Sequence, residues 1–312
     1  MRQRAEKHAF TLIELLVSVT VLGLLVAILL PGLSRARKSA KAAVCSTRLH
    51  TLGHGIVLYA NEFDDVLIPG RMPKVDDDQW RVGIEGGIKY RPTFLAMMGS
   101  QVGVAPFADP QASKNDIDRF GQVGDRQNYS SDAYLCPSVS DWVDERNGAY
   151  GYNYQFLGNS RLRGTEEDPG SFKNWPLRLS QARSPGACVS VADSMGTAAA
   201  FSKFGRLAYQ DDDPDEKNIG EEPNALGNEG FNLDPPRIDS LNGEIAEQLF
   251  HKRSAPHERH AGKANVLWLD GHASAETLKN LGYQVDPELG IVQLEGNNRF
   301  FHFDSRNQAW VR

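Results

Sequence analysis

Cysteine is scarce in this chain of 312 residues: Cys45, Cys136 and Cys188 are the only three. None forms a C-x-x-C pair, which excludes a zinc-ribbon or thioredoxin-type motif. A basic surplus is missing as well. With 40 acidic against 34 basic residues the net charge is −6, so the totals point away from nucleic acid as a partner. There is no G-x-S-x-G elbow, no cysteine with a histidine partner in a local motif, and no phosphate-cradling glycine loop. No internal repeat is present. Beyond Leu33 no continuous apolar run approaches the roughly 18 residues that mark a membrane span.

Before Leu33 the situation reverses. Met1 to Ala9 carry Arg2, Arg4 and Lys7 against Glu6, a short basic leader. Phe10 to Leu30 then hold a single charge, Glu14. As a helix rising about 1.5 Å per residue, that run spans roughly the 30 Å of a bilayer's hydrocarbon core. Basic residues ahead of the span place that end in the cytoplasm and the remainder outside. A secretory signal peptide has a shorter apolar region, roughly 7–15 residues, ending at a small-residue cleavage site. Here the run ends in Pro31-Gly32-Leu33 and the basic Arg35, Arg37, Lys38 and Lys41. An ordinary anchor explains the length and flanks but not Glu14. A carboxylate inside a span costs at least ~2.5 kcal/mol, and so marks a functional position.

Ala9-Phe10-Thr11-Leu12-Ile13-Glu14-Leu15 resembles the class III signal of type IV prepilins and type II secretion pseudopilins. The resemblance covers roughly the first 35 residues. It implies cleavage between Ala9 and Phe10 by a membrane prepilin peptidase, N-methylation of Phe10, and a Glu14 that neutralises the free amine of a neighbouring subunit. It also implies a helix kink at Pro31. The chain departs from the family in carrying Ala9 where Gly is usual, the next smallest residue at the junction.

After the span, Ala36, Ala40, Ala43, Val44, Leu49, Leu52, Ile56 and Tyr59 recur near helical spacing, so the helix continues amphipathically to an exit at Asn61–Asp65. Gly53 and Gly55 weaken it near that end. The basic cluster at 35–41 is either a headgroup-contacting patch or a solvated face. From Val66 onward Gly, Pro, Asn and Asp punctuate short apolar runs. Expected strands are Val66–Ile68, Ala149–Phe156, Ala187–Ala192, Asn265–Leu269, Ala273–Leu278 and Arg299–Phe303. Asp270-Gly271 between two of them is a strong hairpin signal of the type I′ kind. The expected fold is therefore α+β. Residues 1–9 are the leader, 10–33 the transmembrane helix and 34–62 its amphipathic continuation. Residues 63–312 form a periplasmic-side body on a mainly antiparallel sheet.

His260, nine intervening residues, then Asp270-Gly271 resembles the H-x9-DG signature of pseudopilin-like proteins abundant in planctomycetes. Cys45 with Leu58-Tyr59-Ala60-Asn61 after it, Leu135-Cys136-Pro137 and Ala149-Tyr-Gly-Tyr-Asn153 follow that group's pattern in order. Among the cysteines, Cys45–Cys136 is the disulfide pair to test first. His257, His260, Asp270 and His272 are the one cluster suggesting a metal or acid–base site. Extended chain would hold His260 roughly 33 Å from Asp270, so contact needs a reversal near Ala261-Gly262-Lys263. Otherwise Asp270 is a turn residue and His260 a structural hydrogen-bonding partner near the hairpin. Acidic runs at Asp76-Asp77-Asp78 and Asp211-Asp212-Asp213, with Asp215 and Glu216, suggest calcium or, without EF-hand spacing, simply a solvated loop. No catalytic residue and no other cofactor is expected.

The functional expectation is a pilin-like structural subunit of the inner membrane, not an enzyme, assembled through its N-terminal helix into a type IV pilus or type II secretion pseudopilus. Its partners would be itself, other pilin-like subunits, the prepilin peptidase, membrane lipid and the assembly machinery. The alternative is a membrane-tethered periplasmic metal-binding protein or enzyme using the His260–His272 region.

Overall fold

In the computed structural model the described residues are 12–69, 81–84, 87–90, 93–104, 131–138, 149–158, 160–161, 172–173, 176–194, 231–237, 255–286, 290–292 and 296–307. Helix α1 runs from Leu12 to Glu62, 51 residues, or about 76 Å of continuous helix. Strands β1 (Arg81–Ile84) and β2 (Gly87–Tyr90) pair antiparallel, followed by one helical turn, α2 (Phe94–Met97). Then come β3 (Tyr150–Tyr152), the short pair β4 (Ser160–Arg161) and β5 (Phe172–Lys173), and β6 (Val189–Asp193). The chain finishes with β7 (Ala264–Trp268), β8 (Ala273–Glu276), and the pair β9 (Gln284–Asp286) and β10 (Gly290–Val292). The central sheet has the order β3-β6-β7-β8, antiparallel throughout. The α+β class stands.

Leucine, alanine and the long basic side chains favour helix, and only Pro31 interrupts the hydrogen-bond ladder of α1. The helix stops at Asp64 and Asp65, whose φ angles of 52° and 70° are left-handed, a conformation that a short polar side chain tolerates. The Asp65 amide closes the end on the Ala60 carbonyl at 2.8 Å. The Asp65 carboxylate accepts from the Ser180 amide at 3.1 Å and from its hydroxyl, fastening the exit to the body.

α1 divides sharply. The large apolar side chains from Leu12 to Leu33 are exposed, whereas Cys45, Leu49, Leu52, Ile56, Tyr59 and Ala60 are buried. The packed face therefore begins at Cys45. Ala36, Ala40, Ala43 and Val44, expected in that face, are exposed because the body does not reach that far along the helix. The buried residues share one core with Tyr150, Tyr152, Tyr154, Val191 and Leu267 of the body. A second core, holding Val189, Val266, Trp268, Tyr283 and Phe301, includes side chains from alternate positions of the same central strands.

Several strand expectations change. Ala149–Phe156 is strand only to Tyr152, then a π-helical turn from Tyr154 to Gly158. Val66–Ile68 makes one isolated bridge, Val66 to Arg178, before its buried side chains enter the core. Arg299–Phe303 is not a strand. Asn298–Phe300 is a short 3-10 turn, started by the Asn297 side chain accepting from the Arg299 amide. The Asp270-Gly271 hairpin is present, with Leu267 opposite Ala273, but its turn differs. Only Gly271 has a positive φ, 92°, and the Gly271 amide donates to the Trp268 carbonyl. That is a three-residue connection with glycine in the left-handed position, not a type I′ turn. The type I′ pattern appears instead at Ala261-Gly262, φ 54° and 76°, with His260 and Lys263 exchanging backbone hydrogen bonds.

Gly53 and Gly55 have a packing reason to lie in the helix. A Cβ on Gly53 would lie 3.0 Å from Leu267 of β7, and one on Gly55 only 2.5 Å from the Val102 side chain. A Gly55→Leu substitution is expected to destabilise the body by about 1–3 kcal/mol through overpacking. Urea unfolding of the full chain in detergent micelles, followed by tryptophan fluorescence, measures this. An unchanged midpoint would mean that the segment around Val102 yields freely.

Candidate functional site: the apolar helix and its junction with the body

The junction is built around Cys45, the first buried residue of α1. A disulfide joins it to Cys136, with Cα atoms 5.3 Å apart and a sequence separation of 91. Around that bond the helix gives and receives polar contacts. Arg48 Nη1 donates to the Leu135 carbonyl at 2.7 Å, and its ion pair with the exposed Asp132 at 3.1 Å adds little in water. The Tyr150 hydroxyl reaches the Leu135 carbonyl at 3.1 Å. Asn265 Nδ2 donates to the Ala42 carbonyl at 3.3 Å, and His50 Nδ1 lies 3.0 Å from the Gly271 carbonyl.

Beneath the disulfide lies a buried ionic knot. Asp193, at the end of β6, has no exposed side-chain surface and is 2.5 Å from Arg259 Nη2. Its other oxygen accepts from the Asn265 amide at 2.7 Å. Arg259 also donates to the Ala149 carbonyl at 2.5 Å and the Ser194 carbonyl at 2.7 Å. His260 Nε2 lies 3.4 Å from Asp193 and 3.6 Å from Cys136 Sγ. Burying a charge is costly unless it is paired and hydrogen-bonded; both Asp193 oxygens and both terminal Arg259 nitrogens have partners, and only Arg259 Nε has none among the described residues. The side-chain ligand atoms of Cys45, Cys136, Asp193 and His260 all fall within 4.8 Å of one another.

His260 and Asp270 therefore do not meet. They sit at opposite ends of β7, whose five residues rise about 17 Å. His260 is at the disulfide, not beside the Asp270 hairpin. Asp270 holds the turn: its carboxylate accepts from the His272 amide at 3.1 Å and lies 2.6 Å from His272 Nδ1. Its partial burial favours the neutral form, but the bonds to His272 outweigh that and hold the carboxyl below its ordinary range. His272 stacks on Trp268, centroids 5.6 Å apart, and the His257 amide donates to the Asp193 carbonyl. So the four residues grouped by sequence do not form one site. Asp193 and Arg259, which sequence reading passed over, organise the buried one. The signal for Asp193 was a carboxylate closing a buried strand with no other charge. Cys188 is buried with its thiol pushed up to about 12 by desolvation, an inert core residue.

At the other end of α1, Glu14 lies in the exposed apolar stretch, and the Ser18 hydroxyl donates to its carbonyl at 2.6 Å. Ala9 and Phe10 fall outside the described residues, as do Asp76-Asp77-Asp78, Asp211-Asp212-Asp213, Asp215 and Glu216. Among the described residues α1 is the one helix long and apolar enough to cross a membrane, with none of its apolar window covered by the body. Residues 4–30 match the prokaryotic N-terminal methylation motif. That prepilin-type signal supports a pilin- or pseudopilin-type subunit, a structural protein processed by prepilin peptidase and anchored by its apolar helix. No curated protein and no solved structure matches the chain.

Burial pushes the His260 imidazole below its ordinary range, with Arg259 adding to the effect and Asp193 opposing it. The folded state thus disfavours the proton that the unfolded chain takes up near pH 6.5. Stability from this group is complete above that value and is lost as pH falls through the lower folded pKa. His302, also depressed mainly by burial, acts with the same sign. Unfolding free energy should therefore fall between about pH 7 and pH 5, and His260→Gln should reduce the slope without abolishing it. Urea titrations at several pH values measure this. An identical slope in the variant would place the proton elsewhere.

Proposed function

We propose that this chain is a pilin-like structural subunit, cut between Ala9 and Phe10, methylated on Phe10, and assembled through α1 into a type IV pilus or type II secretion pseudopilus. One observation supports this most. A methylation motif leads directly into a continuous helix whose first part is apolar and uncovered and whose last part is packed into a globular body. An uncovered apolar helix of this length needs lipid on all sides or other helices like itself, and a filament core supplies the second where the membrane supplies the first.

Glu14 gives the exchange its specificity. A carboxylate in the apolar phase is tolerable beside a cation, and the new amine of Phe10 on an adjacent subunit is such a cation. Pairing the two sets the register of an incoming subunit. Orientation follows from the basic leader: N-terminus cytoplasmic, body on the periplasmic side of a bacterial inner membrane. Within this reading the chain belongs with the H-x9-DG pseudopilin-like group. The supporting observation is that its separate motif pieces, Cys45, Leu135-Cys136, Ala149–Asn153 and His260, converge on one junction.

Mass analysis of the protein from native membranes should find Phe10 first, carrying an extra methyl. Glu14→Leu should leave insertion and processing intact while abolishing inter-subunit crosslinks, compared with wild type at equal protein level. A chain that keeps residues 1–9, or one cut after Leu30, would remove the prepilin reading. An unchanged crosslinking ladder in Glu14→Leu would reduce α1 to a simple anchor.

A further inference from the structure

The buried junction carries a chemistry that a filament subunit does not need. Four segments that are distant in sequence each place one metal-binding side chain at the same point: Cys45 from α1, Cys136 from the segment after Asp132–Tyr134, Asp193 from the end of β6, and His260 from the turn before β7. We propose that, while its two thiols are reduced, the folded body binds one zinc-class ion through Cys45, Cys136, Asp193 and His260.

The edges of the cluster support the assignment. Zinc bonds of about 2.3 Å to sulfur and about 2.0–2.1 Å to imidazole nitrogen or carboxylate oxygen require ligand separations in a tetrahedron of roughly 3.5 Å from sulfur to nitrogen and roughly 3.4 Å from nitrogen to oxygen. The observed Cys136 Sγ to His260 Nε2 and His260 Nε2 to Asp193 Oδ2 distances are 3.6 Å and 3.4 Å. Two edges are already set. The two sulfurs must part from bonding distance to roughly 3.8 Å, within the reach of side-chain rotation, and all four ligand atoms already lie within 4.8 Å of one another.

Charge agrees with geometry. Two thiolates and one carboxylate total three negative charges. A divalent ion and the Arg259 guanidinium, 2.5 Å from Asp193, balance them in a site where the Asp193 side chain has no exposed surface. Outer contacts are in place too: the Asn265 amide and Arg259 both donate to the Asp193 carboxylate, which fixes its orientation. Two thiolates with an imidazole and a carboxylate favour zinc over calcium or magnesium.

The thiols need no reductant, since a newly made chain carries them as such. Binding replaces two S–H bonds by two Zn–S bonds and releases two protons. Later oxidation by an external disulfide removes two electrons from the thiolates, forms the Cys45–Cys136 bond, and frees the ion. The external disulfide takes up the electrons with two protons from water and leaves as its dithiol. In both states α1 stays fastened to the body at Cys45, by an ion in one and by a covalent bond in the other.

The test uses the full chain in detergent micelles, purified with its thiols kept reduced by a phosphine. Cobalt(II) should produce a thiolate-to-metal charge-transfer band and the visible bands of a tetrahedral ion, at one ion per chain. Zinc should displace it. Cys188→Ala should keep the spectrum, while His260→Gln should lose at least ~100-fold in zinc affinity, the upper end of what losing even an outer-shell partner costs. The oxidised chain should bind neither ion at this site. Absence of the charge-transfer band from the reduced wild-type chain overturns the proposal whatever the variants do. So does zinc affinity that is unchanged in a folded His260→Gln, or a reduced chain that loses its near-ultraviolet circular dichroism and fails to regain it with zinc.

Discussion

The Cys45 junction is the constraint on which the remainder of the molecule depends. A single helix must serve two environments, and Cys45 is where it passes from one to the other. Before it, every large apolar side chain among the described residues faces outward. After it, the same helix supplies Leu49, Leu52, Ile56 and Tyr59 to a soluble core. Any load on the exposed part is transmitted to the body through this point. A covalent bond closing a loop of this length restricts the unfolded chain by about 4–5 kcal/mol in the chain-entropy account.

The body's own polar interior is arranged around the same place. Asp193 and Arg259 are an ion pair removed from water, which by itself contributes little or nothing to stability. What it does is bind separate segments at one location. Arg259 takes the Ala149 and Ser194 carbonyls, Asp193 takes the Asn265 amide, and His260 touches both the acid and the disulfide. Replacing one partner by an apolar residue would strand the other charge, so the cluster is better understood as a device for register than as a source of stability. Tyrosine hydroxyls serve the same end in the apolar core, where Tyr150 and Tyr152 donate to the Leu135 and Ile68 carbonyls.

Particular residues show where local pattern was informative. Lipid-length apolar runs and helical spacing depend only on neighbours in sequence, so α1, its exit at Asp64–Asp65 and the β7–β8 hairpin were legible. Turn type was not. Asp270 is drawn into hydrogen bonds with His272, which leaves Gly271 alone to take the left-handed conformation. The grouping of His257, His260, Asp270 and His272 failed for a related reason. Sequence proximity placed them together, but a strand between His260 and Asp270 holds its two ends apart. Gly53 and Gly55 read as helix weakeners from propensity, yet they are where Leu267 and Val102 approach the helix backbone.

By itself, then, the sequence determined the elements whose physics is local: a methylation motif at 4–30, an apolar helix with one carboxylate in it, its amphipathic continuation, and an α+β body. Tertiary structure alone decided how far up the helix the body reaches. It alone brought Asp193 and Arg259 to the disulfide and turned His260 away from its motif partner Asp270, ten residues on. Those choices depend on which strands pair and on where a buried charge finds its counter-charge. Both are settled by contacts between segments tens of residues apart, which leave no periodicity to read.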